Sequence, residues 1–151
     1  MDEITQQQKH IRTISEWLMY DLGVQPGWDS ITLWAKPTPD AVVIRVLVAG
    51  PQPDDLSGTF AAGSTQDAAV RDLQRLMYRK PGGTWLSARF MVTATGWPSP
   101  QIATDAEFNY EENPGQFTAD DGPLTAEQVA AHLREFPRSA EATPEWMREA
   151  R

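Results

Sequence analysis

Apolar residues near the start of the chain recur at helical spacing. Ile4, Ile11, Ile14, Leu18 and Leu22 fall on one side, with Gln6, Gln7, Lys9 and Arg12 on the other, which predicts an amphipathic helix from Ile4 to Leu22. Gly23 ends it, and GVQPGW supplies turn residues. The period then shortens. SITLWA (30–35) and VVIRVLVA (42–49), separated by the proline-containing KPTPDA, predict two antiparallel strands. Val42, Ile44, Val46 and Val48 share one face of the second, and Val43, Arg45 and Leu47 the other. Apolar residues on both faces make this an interior strand. The loop GPQPDDLSG follows, and LSGTFAA (56–62) adds a short strand.

Ser64, with Asp67 three residues on, opens a second helix lined by Val70, Leu73, Leu76 and Met77, and PGG (81–83) closes the unit. From Thr84 to Thr95, Leu86, Ala88, Phe90, Val92 and Ala94 alternate with Trp85, Ser87, Arg89, Met91 and Thr93. After the turn GWPSPQ, the segment from Gln101 to Glu111 alternates most sharply. Ile102, Thr104, Ala106, Phe108 and Tyr110 are expected to face the core, and Asp105, Glu107 and Glu111 to form an acidic outer face. Thr125 and Gln128 form a capping box for a helix presenting Val129, Leu133 and Phe136, stopped by Pro137; a last turn starts at Thr143, with Pro144 first and Trp146 as its anchor. The order helix, hairpin, helix, two strands, helix has no βαβ repetition. It predicts one α+β domain over 1–151: a mostly antiparallel sheet of four to five strands packed with N-terminal, middle and C-terminal helices, with 120–151 as its C-terminal helical segment.

Charge narrows the partners. Thirteen basic and twenty-one acidic residues give a formal charge of −8, the wrong sign for neutralising phosphates, so a nucleic-acid partner is not expected and a basic protein suits better. Acidity also serves solubility, and charge alone does not separate the two. Cysteine is absent, which removes disulfides and thiolate chemistry and fits a reducing compartment. The first twenty residues carry charge and glutamine where a secretory signal needs an apolar run of about 7 to 15 residues. The longest apolar segment, 41–49, is interrupted by Arg45 and falls well short of the roughly 18 residues of a membrane span. A cytoplasmic protein without membrane contact is expected.

Candidate chemistry is sparse. His10 and His132 lack the i+4 partners of a helical metal site, so neither a metal nor a cofactor is expected. Residues i and i+2 of a strand stand about 7 Å apart, so Asp105, Glu107 and Glu111 read as paired carboxylates for acid–base work, as a solvated face, or as a partner-binding face. Ser57 and Ser64 lack a nucleophile-elbow context, and no catalytic residue is assigned. Of the six tryptophans, Trp17, Trp28, Trp34, Trp85 and Trp146 read as core, whereas Trp97, in the turn GWPSP, reads as an interface anchor.

Several motifs carry a family likeness: Trp28 opening the first strand, the helix ending in LQRLMYR, Trp85 opening another strand, Phe108-Asn109-Tyr110 followed by Glu111 and Glu112, and Phe136-Pro137-Arg138 followed by Pro144 and Trp146. In these, from about 4 to 148, the chain resembles the YezG-like immunity proteins, antitoxins that bacteria encode beside secreted polymorphic toxins. The resemblance implies a stoichiometric inhibitor, not an enzyme, that binds the toxin domain of a cognate effector. An acidic face could occupy a basic toxin cleft as a charge mimic. Trp97, Asp105, Glu107, Tyr110, Glu111, Glu112, Asp120 and Asp121 are then the expected partner-binding residues. An adaptor or chaperone escorting a basic client would use the same face, and a small carboxylate-using enzyme is the third reading.

Overall fold

The computed structural model describes residues 2–149; Met1 and the last two residues of the expected C-terminal segment, Ala150 and Arg151, lie outside the described residues. Helix α1, Glu3–Glu16, starts where the Asp2 carboxylate accepts a hydrogen bond from the Thr5 amide at 2.7 Å. It runs on into a π-helical turn, Trp17–Asp21, so the single predicted helix is two segments of different pitch. Ile14 and Leu18 are fully buried, but Ile4 is 71% exposed, because burial along α1 begins only near Ile11.

Five strands follow: β1 (Ser30–Pro37), β2 (Val42–Ala49), β3 (Asp54–Thr59), β4 (Ser87–Thr95) and β5 (Gln101–Asn109). They form one sheet in the order β3-β2-β1-β4-β5, antiparallel throughout. Helix α2, Thr65–Leu76, is capped by Ser64 as predicted, its hydroxyl accepting from the Asp67 amide. Helix α3, Ala126–Glu135, carries the predicted Thr125–Gln128 capping box, and α4 is the short turn Glu145–Arg148. The α+β class holds, and none of the described helices is long and apolar enough to cross a membrane.

The main core lies between α1, α2 and one sheet face. Ile31, Leu33 and Ala35 of β1, Ile44, Val46 and Val48 of β2, and Ala88, Phe90, Val92 and Ala94 of β4 meet Ile14, Leu18, Val70 and Leu73. Each such side chain taken from water contributes about 1.5–3 kcal/mol for the larger aliphatics and Phe. A second, smaller cluster joins Leu86, Val129, Leu133 and Met147, flanked by Leu124 and Trp146.

The alternation predicted from Thr84 therefore breaks before β4. Trp85 joins the main core and Leu86 the second cluster, opposite to the expected phase. The strand begins only at Ser87, after the Leu86 amide has bonded to the Asn109 carbonyl at 2.7 Å. Strand β5 also departs from expectation: Ala106, Phe108 and Tyr110 pack against the core, but Thr104 is exposed and Ile102 is 41% exposed. β5 is an edge strand with neighbours on one side only, and the α1 residues beside it, Gln7, Gln8 and Ile11, border only its stretch from Thr104 to Phe108.

Gly50 shows how closely the strands are joined at one end. Its φ is +145°, and a Cβ there would stand 3.0 Å from the Asp29 nitrogen and from the Trp28 Cα, both backbone atoms that cannot swing aside. Gly50→Ala is expected to destabilise the fold by more than about 1 kcal/mol, measured as a lower denaturant midpoint at unchanged slope; wild-type stability in that variant would contradict the crowding.

Candidate functional site

The sheet face opposite α1 and α2 is covered only at one end. Strands β2, β1 and β4 place Val43, Lys36 and Ser87 side by side there, with Asn109 of β5 beyond. The loop between β5 and α3 closes over this end because Lys36 holds it. The Lys36 ammonium, 2% exposed, donates to the Gly115 carbonyl (2.6 Å), the Gly122 carbonyl (2.7 Å) and the Asp121 carboxylate (2.5 Å). The Phe117 ring lies 4.8 Å from the nitrogen, and a ring face adds attraction for a cation removed from water.

The other Asp121 oxygen accepts from the amides of Phe117 (2.9 Å) and Thr118 (2.5 Å) and from the Thr118 hydroxyl. Burial raises the Asp121 pKa, but the Lys36 bond and those from Thr118 and Phe117 outweigh it and hold the group at about 2. Asp121, expected on the binding surface, is therefore an internal ligand of Lys36; neighbouring Asp120 stays exposed.

Two further expected residues are committed inward. Trp97 is half-buried, stacked edge-to-face on Trp28 at 5.7 Å, with its indole N–H donating to the Trp28 carbonyl at 2.9 Å. It fastens the β4–β5 turn to the start of β1 and does not project from it. Tyr110 is half-buried, and burial pushes its phenol up.

Beyond the covered end the sheet face is open. Register places Arg45, Trp34, Arg89 and Glu107 in one row across β2, β1, β4 and β5, and Leu47, Thr32, Met91 and Asp105 in the next. Trp34, Leu47 and Met91 are half-buried. Arg45 grips Asp55 of β3 with two hydrogen bonds, at 2.9 and 3.2 Å. Arg89 is shared between Glu107 (2.9 Å) and Asp105 (3.5 Å), whose side chains are 68% and 60% exposed. One cation thus faces two carboxylates along β5. Glu111 and Glu112 follow in the turn after β5, both exposed, their amides held by the Asn109 side chain at 3.3 and 2.9 Å.

The motifs at the end of β5 and near the C-terminus meet in space. The Trp146 indole donates to the Glu111 carbonyl at 2.8 Å, and the Asn109 amide to the Glu112 carbonyl at 2.7 Å. Arg138, 7% exposed, donates to the Thr84 carbonyl at 2.8 Å and packs against Gly83, while Tyr78 donates to the Pro137 carbonyl. These contacts brace the turn that carries Glu111 and Glu112.

Sequence reasoning placed Trp34 in the core and overlooked Lys36. Alternation within SITLWAK puts Thr32, Trp34 and Lys36 on one face and Ile31, Leu33 and Ala35 on the other, which was the available signal. Of the histidines, His132 packs on Phe136 at 5.3 Å, and burial first, then the Arg138 charge, push its imidazole down to about 4. Among the described residues no group of three or more His, Asp or Glu is gathered as a metal site. Compared with known proteins, the chain matches no family model and no curated protein.

Two outcomes follow from the buried groups. Lys36→Ala leaves Asp121 and two carbonyls without their cation and is expected to cost about 3–5 kcal/mol, read by chemical denaturation. A loss below about 1 kcal/mol would mean that the loop is held by other contacts. His132 has its pKa lowered from 6.5, so the unfolded chain takes up its proton first. The stabilisation is complete above about 6.5 and is lost as pH falls toward about 4. Over that window His132→Gln should lose less stability than wild type, by on the order of 2–3 kcal/mol; parallel pH profiles would refute the assignment.

Proposed function

We propose that this chain is a cytoplasmic immunity protein that binds a basic toxin domain and blocks it stoichiometrically. The observation that carries the reading is the excess of carboxylate along one flank of the sheet. Asp105 and Glu107 share one guanidinium, and the flank continues into exposed Glu111 and Glu112 on a turn braced by Trp146 and Asn109. Exposed Asp120 lies in the loop that Lys36 anchors, and the net charge of −8 has the same sign. A rigid, negatively charged surface on a folded sheet suits capture of a basic cleft: opposite charge speeds encounter, and a pre-ordered surface loses little conformational freedom on docking. The likeness to the YezG-like immunity proteins agrees with this reading and names the class of partner.

The test uses the toxin domain encoded immediately upstream as partner. Wild type is expected to form a one-to-one complex whose affinity falls with added salt, and to protect cells expressing that domain. Failure both to bind and to protect would end the proposal. Reversing Glu107 and Glu111 to lysine should weaken binding at least roughly tenfold while changing stability by less than about 1 kcal/mol, since exposed ion pairs contribute little to folding. Unchanged affinity in the double variant would put the interface elsewhere.

A further inference from the structure

The free edge of β5 supports a more specific mode of binding. Ala103 and Asn109 turn their carbonyls toward β4, accepting from the Thr93 hydroxyl at 3.5 Å and the Leu86 amide at 2.7 Å. Backbone direction alternates along a strand, so Ile102, Thr104 and Ala106 turn their N–H and C=O groups away from the sheet. Nothing in the sheet pairs with that side, because β5 is terminal in the strand order. Ile102, Ala103, Thr104 and Asp105 are all exposed, and a hollow of about 300 Å³ lies between α1 and the stretch from Thr104 to Phe108.

We infer that β5 accepts an added strand from the partner, pairing with Ile102, Thr104 and Ala106, and that the added strand alternates basic with apolar residues. The alternation follows from the two faces of β5, since cross-strand neighbours share a face. On the open face the added strand meets Asp105 and Glu107, which have one arginine between them, so cations fit there. On the other face it meets exposed Ile102, then Thr104 and Ala106 across a hollow from Ile11, Gln7 and Gln8, so apolar residues fit against Ile102, Ala106 and Ile11.

The opposite edge is less suited: β3 is six residues long against nine, and its Asp55 already has Arg45 to itself. A second copy of the chain is also a poor occupant. The antiparallel register that pairs all nine residues sets Asp105 against Asp105, and like charges directly opposite are destabilising. The inference deepens the proposed function, on which the basic character of the partner rests.

The test needs no toxin. A blocked ten-residue peptide of alternating lysine and valine is titrated into the isotope-labelled full chain, with a glutamate–valine peptide as control. The lysine peptide is expected to shift the amides of Ile102, Thr104 and Ala106 and to slow their hydrogen exchange at least roughly tenfold, with the control inert. Thr104→Pro removes one outward N–H without touching the β4 ladder, a substitution edge strands tolerate. It should abolish peptide binding while leaving the melting temperature within a few degrees of wild type. Asp105→Lys with Glu107→Lys should reverse the preference toward the glutamate peptide. Protection that maps to β3 or to no strand, binding that survives Thr104→Pro, or self-association through β5 would each overturn the inference. Loss of toxin binding alongside intact peptide binding would instead count against the proposed function.

Discussion

Among the described residues Lys36 is the most deeply buried basic one: its side chain is 2% exposed, and three oxygens surround its nitrogen. Removing an ammonium from water costs several kcal/mol unless that shell is replaced, and here two carbonyls and a carboxylate replace it. The oxygens come from one short stretch, Gly115 to Gly122, so satisfying the charge also sets the path of the loop between the sheet and α3. Asp121 serves both ends of this arrangement, one oxygen on Lys36 and the other on the loop's own amides. That loop links the braced turn at Glu111 to α3, whose Val129 and Leu133 pack with Leu86 in the second core.

The two faces of the sheet meet different demands. The face under α1 and α2 is packed with aliphatic and aromatic side chains, and it provides the bulk of the burial. The opposite face combines half-buried Trp34, Leu47 and Met91 with arginines tied to carboxylates on both edge strands. Such cross-strand ion pairs contribute little to stability. They do discourage indiscriminate pairing of the edges, since a strand that brings its own acids meets repulsion. Selectivity of this kind suits a sheet whose two terminal strands have no strand beyond them.

Much of the fold was legible in the sequence because periodicity reports one-sided burial directly. Both predicted caps, at Ser64 and Thr125, are present, and the strands around Ile31, Val46 and Phe90 lie where alternation placed them. Periodicity says nothing about strand order, and the errors follow from that. Ile102 and Thr104 alternate like core residues but stand at an edge where α1 does not cover them. Leu86 follows the alternation of β4 but precedes the strand's start, so its side chain joins the other cluster. At the candidate site, exposure of Asp105, Glu107, Glu111 and Glu112 agrees with the pattern, while Asp121 and Trp97 have partners 85 and 69 residues away that no local pattern encodes.

The strand order also bears on how the chain reaches this structure. β1, β2 and β3 pair with neighbours close in sequence, as do β4 and β5, so the sheet consists of two local meanders. A single seam joins them, β1 to β4, whose nearest paired residues, Ala35 and Ala88, are 88 − 35 = 53 positions apart. Closing a loop of that length costs about 3–4 kcal/mol of chain entropy before any contact across it forms. α2 lies within the loop, and by packing on β1 it shortens the free chain that must be closed. The seam is therefore where the entropic barrier to folding concentrates, and the helix between its two strands lowers it.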